Sequence, residues 1–318
     1  MIIGYIDYIK LGRKYDSMPE KSPILLESGT NELEIIEFLL GDQRFAINVM
    51  KVREIVTPLP ITKIPHSHPY MEGIIELRGE VLPVIDLAKA LHFPASVHPE
   101  NDKFIVAEFN KQKIVFHVHN VTRIYRISWT QIEKPSQMYQ GLEGQVIGIV
   151  KVEGQMLLLL DFEKIMVDMN PDLGVNMQQV KKLGKRERSQ KKIIVAEDSP
   201  LLRKLLHETL SEAGYERVEF FENGAEALRY LQSVVANGKD ITEEVQLVIT
   251  DIEMPQMDGH HFTKRIREDD RLKKLPVIIF SSLITDDLRH KGAKVGATAQ
   301  VSKPEIGELI EMIDSYIL

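Results

Sequence analysis

The sequence predicts a multidomain chain, an all-β half followed by a doubly wound α/β half, and three observations carry that reading. First, from Leu33 onward short apolar, β-branched runs are broken by Pro58, Pro60, Pro65, Pro69, Gly73, Gly79 and Pro83, the pattern of small barrels or a sandwich. Second, from Lys192 onward strand-like runs alternate with amphipathic helical ones, which right-handed crossovers turn into a parallel sheet covered by helices. Third, residues 181–192 between them are polar and strongly basic, with no apolar stripe. A solvated linker is the simpler reading of that run, and a tether for nucleic acid or anionic lipid is the alternative.

Composition narrows the function. The 318 residues suffice for two domains with separate cores. The absence of cysteine excludes disulfides, thiol nucleophiles and cysteine-ligated zinc, and fits a reducing cytoplasm. No apolar run approaches the length of a membrane span, and residues 1–8 lack the basic region and cleavage site of a signal peptide. A net charge of -7 opposes non-specific nucleic-acid binding. Neither a helix-turn-helix nor a basic recognition helix follows the α/β half, so a transcription regulator is disfavoured. A cytoplasmic protein is expected.

In the first half, residues 1–23 have no clean period and read as an extension. Residues 24–31 read as a short helix or lead-in to a strand carrying Leu33, Ile35, Ile36, Phe38 and Leu40, which turns at Gly41-Asp42. Residues 104–109 and 114–119 predict a hairpin around Asn110-Lys111-Gln112; residues 147–152 and 155–160 predict another around Glu153-Gly154. Arg78-Gly79 puts an always-charged fork on a tight turn between two apolar strands, either a solvated hairpin tip or an interface anchor. His117 and His119 share a strand face at a spacing that could hold a metal, but with no third ligand nearby an exposed strand is the better reading. His66, His68, His260 and His261 read as surface residues, Trp129 as packing, and Met254 and Met257 as loop and packing residues.

In the second half, Leu201, Leu202, Leu205, Leu206 and Leu210 mark one helical face that ends at Ala213-Gly214. Asn223-Gly224 and Asp258-Gly259 open two further helices, and a last one runs from Glu305 to about Ile317. Four apolar runs end in chemistry: 192–196 at Glu197-Asp198, 245–250 at Asp251, 276–280 at Ser281-Ser282, and 299–302 at Lys303-Pro304. In an open parallel sheet, carboxyl strand ends are where ligands bind. Each polar residue alone would merely end a strand. Together, three acids at one edge call for a cation, and hard oxygen ligands suit Mg²⁺. Asp251, centrally placed, can attack a phosphorus while Mg²⁺, Lys303 and the Ser281 hydroxyl share the transferred charge.

Glu197-Asp198, Asp251 with Met254-Pro255, Ser281 and Lys303-Pro304 resemble the receiver domain of response regulators over residues 192–318. The resemblance implies a five-stranded flavodoxin-like (βα)5 fold and phosphorylation of Asp251 by a histidine kinase. It further implies Mg²⁺ held by Asp198, Asp251 and the backbone carbonyl of Glu253, with Glu197 acting through metal-bound water. Such a receiver catalyses its own phosphorylation and dephosphorylation, and the chain is not otherwise an enzyme. One departure is Gln300, three residues before Lys303, where the family usually has an aromatic switch residue. Glu253 stands where the family tunes dephosphorylation.

In the first half, residues 43–55, 73–87, 147–150 and 157–161 resemble the chemotaxis coupling protein CheW. That resemblance implies a pair of SH3-like five-stranded barrels joining chemoreceptor cytoplasmic tips to the histidine kinase CheA. Val52, Glu54, Ile55, Gly73, Arg78 and Gly79 fall where that family contacts the kinase. A CheW-like domain before a receiver is the arrangement of the CheV family, whose opening residues 24–34 resemble. The implied organisation is a 1–23 extension, a 24–172 coupling domain, a 173–191 basic linker and a 192–318 receiver. The implied role is an adaptor at the chemoreceptor array, beside CheW, with coupling tuned by phosphorylation in support of adaptation. The alternative is a phosphate sink drawing phosphoryl groups from CheA. No nucleic-acid partner is expected, and the membrane only through receptors.

Overall fold

The computed structural model describes residues 29–109, 112–134, 145–169, 188–284 and 286–317. The expectations for the amino-terminal extension, the 24–28 lead-in, the 110–111 turn and most of the basic run lie outside those residues.

The chain first lays down β1 (Glu32–Leu40) and β2 (Gln43–Asn48) as a hairpin closed at Gly41-Asp42. It then leaves through a 3-10 turn, Val49–Lys51, to build a second sheet from β3 (Val52–Val56), β4 (Met71–Leu77), β5 (Glu80–Asp86), β6 (Lys103–Phe109) and β7 (Gln112–Val118), with α1 (Leu87–Ala90) after β5. Finally it returns with β8 (Asn120–Ser128), β9 (Ile132–Glu133), β10 (Val146–Val152) and β11 (Gln155–Leu160), followed by α2 (Phe162–Met169). The first sheet has the order β8-β1-β2-β11-β10-β9 and the second β3-β6-β7-β5-β4. Both expected hairpins form, β6 with β7 and β10 with β11. Period-2 alternation turns one face of each strand inward. Ile36, Phe38, Phe45, Ile105, Phe116 and Phe162 fill a core shared by both sheets and α2, while Leu33, Ile35, Trp129 and Leu157 fill a second one.

The second half runs β12 (Ser189–Ala196), α3 (Pro200–Glu212), β13 (Tyr215–Phe221), α4 (Gly224–Ala236), α5 (Ile241–Glu244), β14 (Leu247–Thr250), α6 (Gly259–Glu268), β15 (Val277–Ser281), α7 (Asp286–Lys294), β16 (Ala299–Ser302) and α8 (Ile306–Ile317). The order β13-β12-β14-β15-β16 is parallel throughout, with one core on each face. Every residue of β14 is buried, as its unbroken apolar run requires. Ser199, Asn223 and Asp258 cap α3, α4 and α6 through side-chain acceptors, each contributing about 1 kcal/mol.

Three expectations change. β12 begins at Ser189, where the Ser189 N–H reaches Gly214 O, so strand pairing extends into the basic run. Leu201 does not join the buried face of α3 and is 45% exposed. It sits in the first turn of α3; among the five leucines, Leu206 and Leu210 alone are fully buried. His260 is buried at 6% exposure, because the first turn of α6 packs inward instead of facing water.

Candidate functional site

Strand ends deliver the receiver-like residues to one edge. β12 hands over Glu197 and Asp198, and β14 hands over Asp251, whose N–H donates to Ala196 O at 2.9 Å. β15 ends on Ser281, β16 hands over Lys303, and the Lys303 N–H donates to Ser281 O at 3.2 Å. Asp251 is pinned locally: its Oδ1 accepts the Ile252 N–H at 2.7 Å, and its carbonyl accepts Thr250 Oγ1 at 2.9 Å. Gly259 is the other half of that arrangement. A Cβ there would lie 1.9 Å from Asp251 O, so only glycine lets α6 start so close to this carbonyl.

Lys303 Nζ donates to Glu197 Oε2 at 3.0 Å and to Asp251 Oδ2 at 3.1 Å, with all three residues buried. Burial works against the Lys303 charge, but Asp251, Glu197 and Glu163 outweigh it and hold its pKa above the ordinary lysine value. Burial, with Asp251 adding repulsion, pushes Glu197 up to about 7 despite Lys303. Burial and then the Glu197, Asp251 and Asp161 carboxylates raise Asp198. Removing charge from this cluster is therefore favourable, by protons or by a cation. Glu197, Asp198 and Asp251 each offer an oxygen, all within 4.8 Å of one another. That all-oxygen donor set fits Mg²⁺.

Ser281 is fully buried and its Oγ accepts the Leu283 N–H at 3.4 Å, which leaves the hydroxyl hydrogen for another acceptor. Gln300 does not point into the site; its Nε2 donates to Arg289 O on α7 at 2.8 Å. Glu253 turns its side chain away from the receiver. Its Oε1 accepts Asn48 Nδ2 at 3.0 Å and its Oε2 lies 2.6 Å from Lys51 Nζ, both on the coupling half. Lys51, 2% exposed, also reaches Glu163 Oε1 at 2.9 Å, and the same Glu163 oxygen accepts the Ser282 hydroxyl. Sequence reasoning did not single out Asn48, Lys51 or Glu163, and it gave Asp161 and Ser282 no part in a contact between the halves. Asn48 and Asp161 also make local capping bonds, to the Met50 and Lys164 N–H, but the contacts between the halves arise only where the two folds meet.

The second group expected to be functional lies on the other sheet. Val52 is buried, Glu54 and Ile55 are half-buried on β3, and a register shift falls between Val52 and Glu54. Arg78 (φ 52°) and Gly79 (φ 82°) form the left-handed tip of the β4–β5 hairpin. Arg78 is 77% exposed yet bonds Glu54, so hairpin tip and β3 form one charged patch. Gly73 (φ 150°) lets the Ile61–Thr62 segment pass so near that a Cβ would sit 2.2 Å from Thr62 O. His117 is half-buried between carboxylates, Nδ1 to Glu72 Oε1 at 2.8 Å and Nε2 to Asp102 Oδ2 at 3.0 Å. That corrects the exposed-strand reading, and the ring is an ion-pair partner. His119 Nδ1 instead accepts the Gly41 N–H at 2.7 Å.

Comparison with known proteins divides the chain in the same two parts. Residues 34–169 match the CheW-like domain family and residues 193–314 the response regulator receiver domain family. The chain is 31% identical over 300 residues to chemotaxis protein CheV3 of Helicobacter pylori, covering 90% of this chain and 95% of the relative. It is likewise 31% identical over 300 residues to chemotaxis protein CheV2 of the same organism, covering 89% and 94%. The crystal structure of the scaffolding protein TtCheW from Thermoanaerobacter tengcongensis aligns with 42% of this chain and 91% of its own, at 29% identity and a TM-score of 0.40. With a CheW-like half and a receiver half in this order, and relatives matched over most of both chains, the chain belongs to the CheV family of chemotaxis proteins.

Proposed function

We propose that the protein is a phosphorylation-responsive adaptor that couples chemoreceptor tips to the histidine kinase CheA, with Asp251 as phosphoacceptor. The observation that carries the proposal is the Lys303 ammonium shared between Glu197 and Asp251 at the carboxyl edge of a parallel sheet. In the reaction, an Asp251 carboxylate oxygen attacks the phosphorus of a kinase phosphohistidine. The P–N bond breaks, the imidazole leaves, and an acyl phosphate remains on Asp251. Lys303 pairs with the added phosphoryl oxygens, and the Ser281 hydroxyl donates to one of them. Asp198, Asp251 and the Glu253 carbonyl would hold Mg²⁺, with Glu197 acting through metal-bound water. The bound ion would supply neutralisation of phosphoryl charge.

The kinase-contact region is assigned to Val52, Glu54, Ile55, Gly73, Arg78 and Gly79, of which the buried Val52 and Gly73 would shape the strands beneath it, and the Arg78–Glu54 pair supports the hairpin tip and β3 acting together. Among the described residues no helix is long and apolar enough to cross a membrane. The adaptor reading places the protein in the cytoplasm at the array, beside CheW, with the membrane reached through receptors.

Phosphorylation can alter coupling only if the two receiver states differ in how they meet the coupling half or its partners. Reconstituting receptor and kinase with this protein as sole coupler, as wild type and as Asp251→Asn, tests the reading. Both proteins should activate kinase ATP turnover, and they should differ in the attractant response or its recovery. If neither activates the kinase while the wild type still takes up phosphoryl groups, the protein is a phosphate sink.

A further inference from the structure

Both loops that carry the reacting residues of the receiver are fastened to the coupling half. The loop after Asp251 is held by Lys51 and Asn48 on Glu253, by the Gln256 N–H donating to Trp129 O at 2.9 Å, and by Asn31, which bonds both Gln256 O and the Asp258 N–H. The loop after Ser281 is held by Glu163 on the Ser282 hydroxyl, and Met50 packs against Ile252, Ile279, Leu283 and Ile284. Lys51 and Glu163 join the two fastenings into one chain of contacts, Glu253 to Lys51 to Glu163 to Ser282. Asp251 is left 8% exposed. Asp198, on the neighbouring strand end, remains half-buried, so this side of the carboxylate cluster keeps some contact with solvent.

A phosphohistidine on a kinase domain must bring its ring, strand or helix, and surrounding surface up to Asp251. A small phosphodonor needs only its phosphoryl group there. We propose that Lys51 and Glu163 are positioning residues from the coupling half that make the phosphorylation site selective for donor size, holding both loops shut against a protein phosphodonor while a small one still enters. The inference rests on Asp251 being the phosphoacceptor.

The same geometry couples the reaction to opening. Glu163 and Asp161 lie within electrostatic reach of Lys303, and Glu163 already spends its oxygen on Lys51 and Ser282. A phosphoryl group on Asp251 brings about -1.5 to -2 charge at neutral pH. It competes with these carboxylates for Lys303 and repels them. Phosphorylation therefore favours separation, and by linkage separation favours phosphorylation.

The test uses the full chain as wild type, Lys51→Met, Glu163→Gln and Asp251→Asn, each shown by thermal unfolding to be folded. Phosphoryl uptake is followed with two donors, phosphoramidate and the phosphorylated histidine domain of CheA. Lys51→Met and Glu163→Gln should raise uptake from the protein donor by about tenfold or more, and uptake from phosphoramidate by no more than about threefold. Glu163→Gln keeps the side chain's volume but removes the carboxylate charge that pairs with Lys51, so it still reads the gate if Lys51→Met fails to fold. Equal acceleration from both donors, or no change in the ratio of the two rates, overturns the gate while leaving Asp251 as phosphoacceptor. Label on Asp251→Asn, or none on wild type from either donor, overturns the assignment of Asp251 and the gate with it.

Discussion

Arg78 and Glu54 meet across the second sheet, with Arg78 Nη2 donating to Glu54 Oε2 2.9 Å away and tying the hairpin tip to β3. The arginine is 77% exposed, and an exposed pair of this kind contributes only about 0–1 kcal/mol to stability. Arg78→Ala should therefore move the melting temperature by no more than about 2–4 °C. If the patch contacts the kinase, the same change should weaken CheA binding by about tenfold or more, about 1.4 kcal/mol. Titration calorimetry beside a thermal melt separates the two effects.

Lys303 is the cation among the receiver carboxylates, and removing it leaves buried charge uncompensated. Lys303→Met should lower stability by about 3–5 kcal/mol in the absence of divalent ions. Millimolar Mg²⁺ should return more stability to this variant than to wild type, since the three acids then have a substitute cation. Denaturant unfolding with and without Mg²⁺ measures the difference.

Gly259 faces the Asp251 carbonyl with no room for a methyl group. Gly259→Ala must push α6 or the 251–258 loop aside, because the ideal Cβ lies 1.9 Å from Asp251 O. Phosphoryl uptake from a small donor should fall by about tenfold or more, as a misplacement near 1 Å can cost about a hundredfold. The circular dichroism spectrum should stay that of a folded α/β protein.

His117 supplies a pH signature for the coupling half. Burial opposes its charge, but hydrogen bonds and charges from Glu72 and Asp102 prevail and raise its pKa above the ordinary 6.5. Asp102 is itself held by Ser96 Oγ at 2.6 Å, and His119 lies near enough to interact. A raised folded pKa means the stabilisation is complete below the unfolded value and is lost as pH rises through the folded one. Stability should therefore fall with rising pH above about 6.5, and His117→Gln should flatten that slope in unfolding curves taken across the range.

The receiver was legible because its chemistry is written at strand ends. An apolar run that stops at an acid, a serine or a lysine states both the strand and what it delivers, and Asp251, Glu197, Ser281 and Lys303 stand accordingly. Helix faces were less legible: Leu201 repeats the apolar spacing yet is exposed in the first turn, and His260 looks polar yet is buried. For His260, burial pushes the ring down to about 4, so no charge marks it at neutral pH. The contact between the halves was not legible at all. Lys51 lies in an unremarkable turn and Glu253 in a loop whose side chain has no prescribed direction. Their 2.6 Å pairing depends on two folds docking, and periodicity within either fold does not report that.

The pairing of β2 with β11, Phe45 beside Leu158 and Ala46 beside Leu159, also sets the order in which a ribosome can finish this molecule. Strands that emerge early must wait more than a hundred residues for their parallel neighbour, and such distant pairings form slowly. The β1–β2 hairpin therefore spends much of synthesis with an open edge, the condition under which nascent chains recruit chaperones. Once β11 docks, the exposed edge of β2 is covered before the second half emerges. The receiver is then born next to a finished surface.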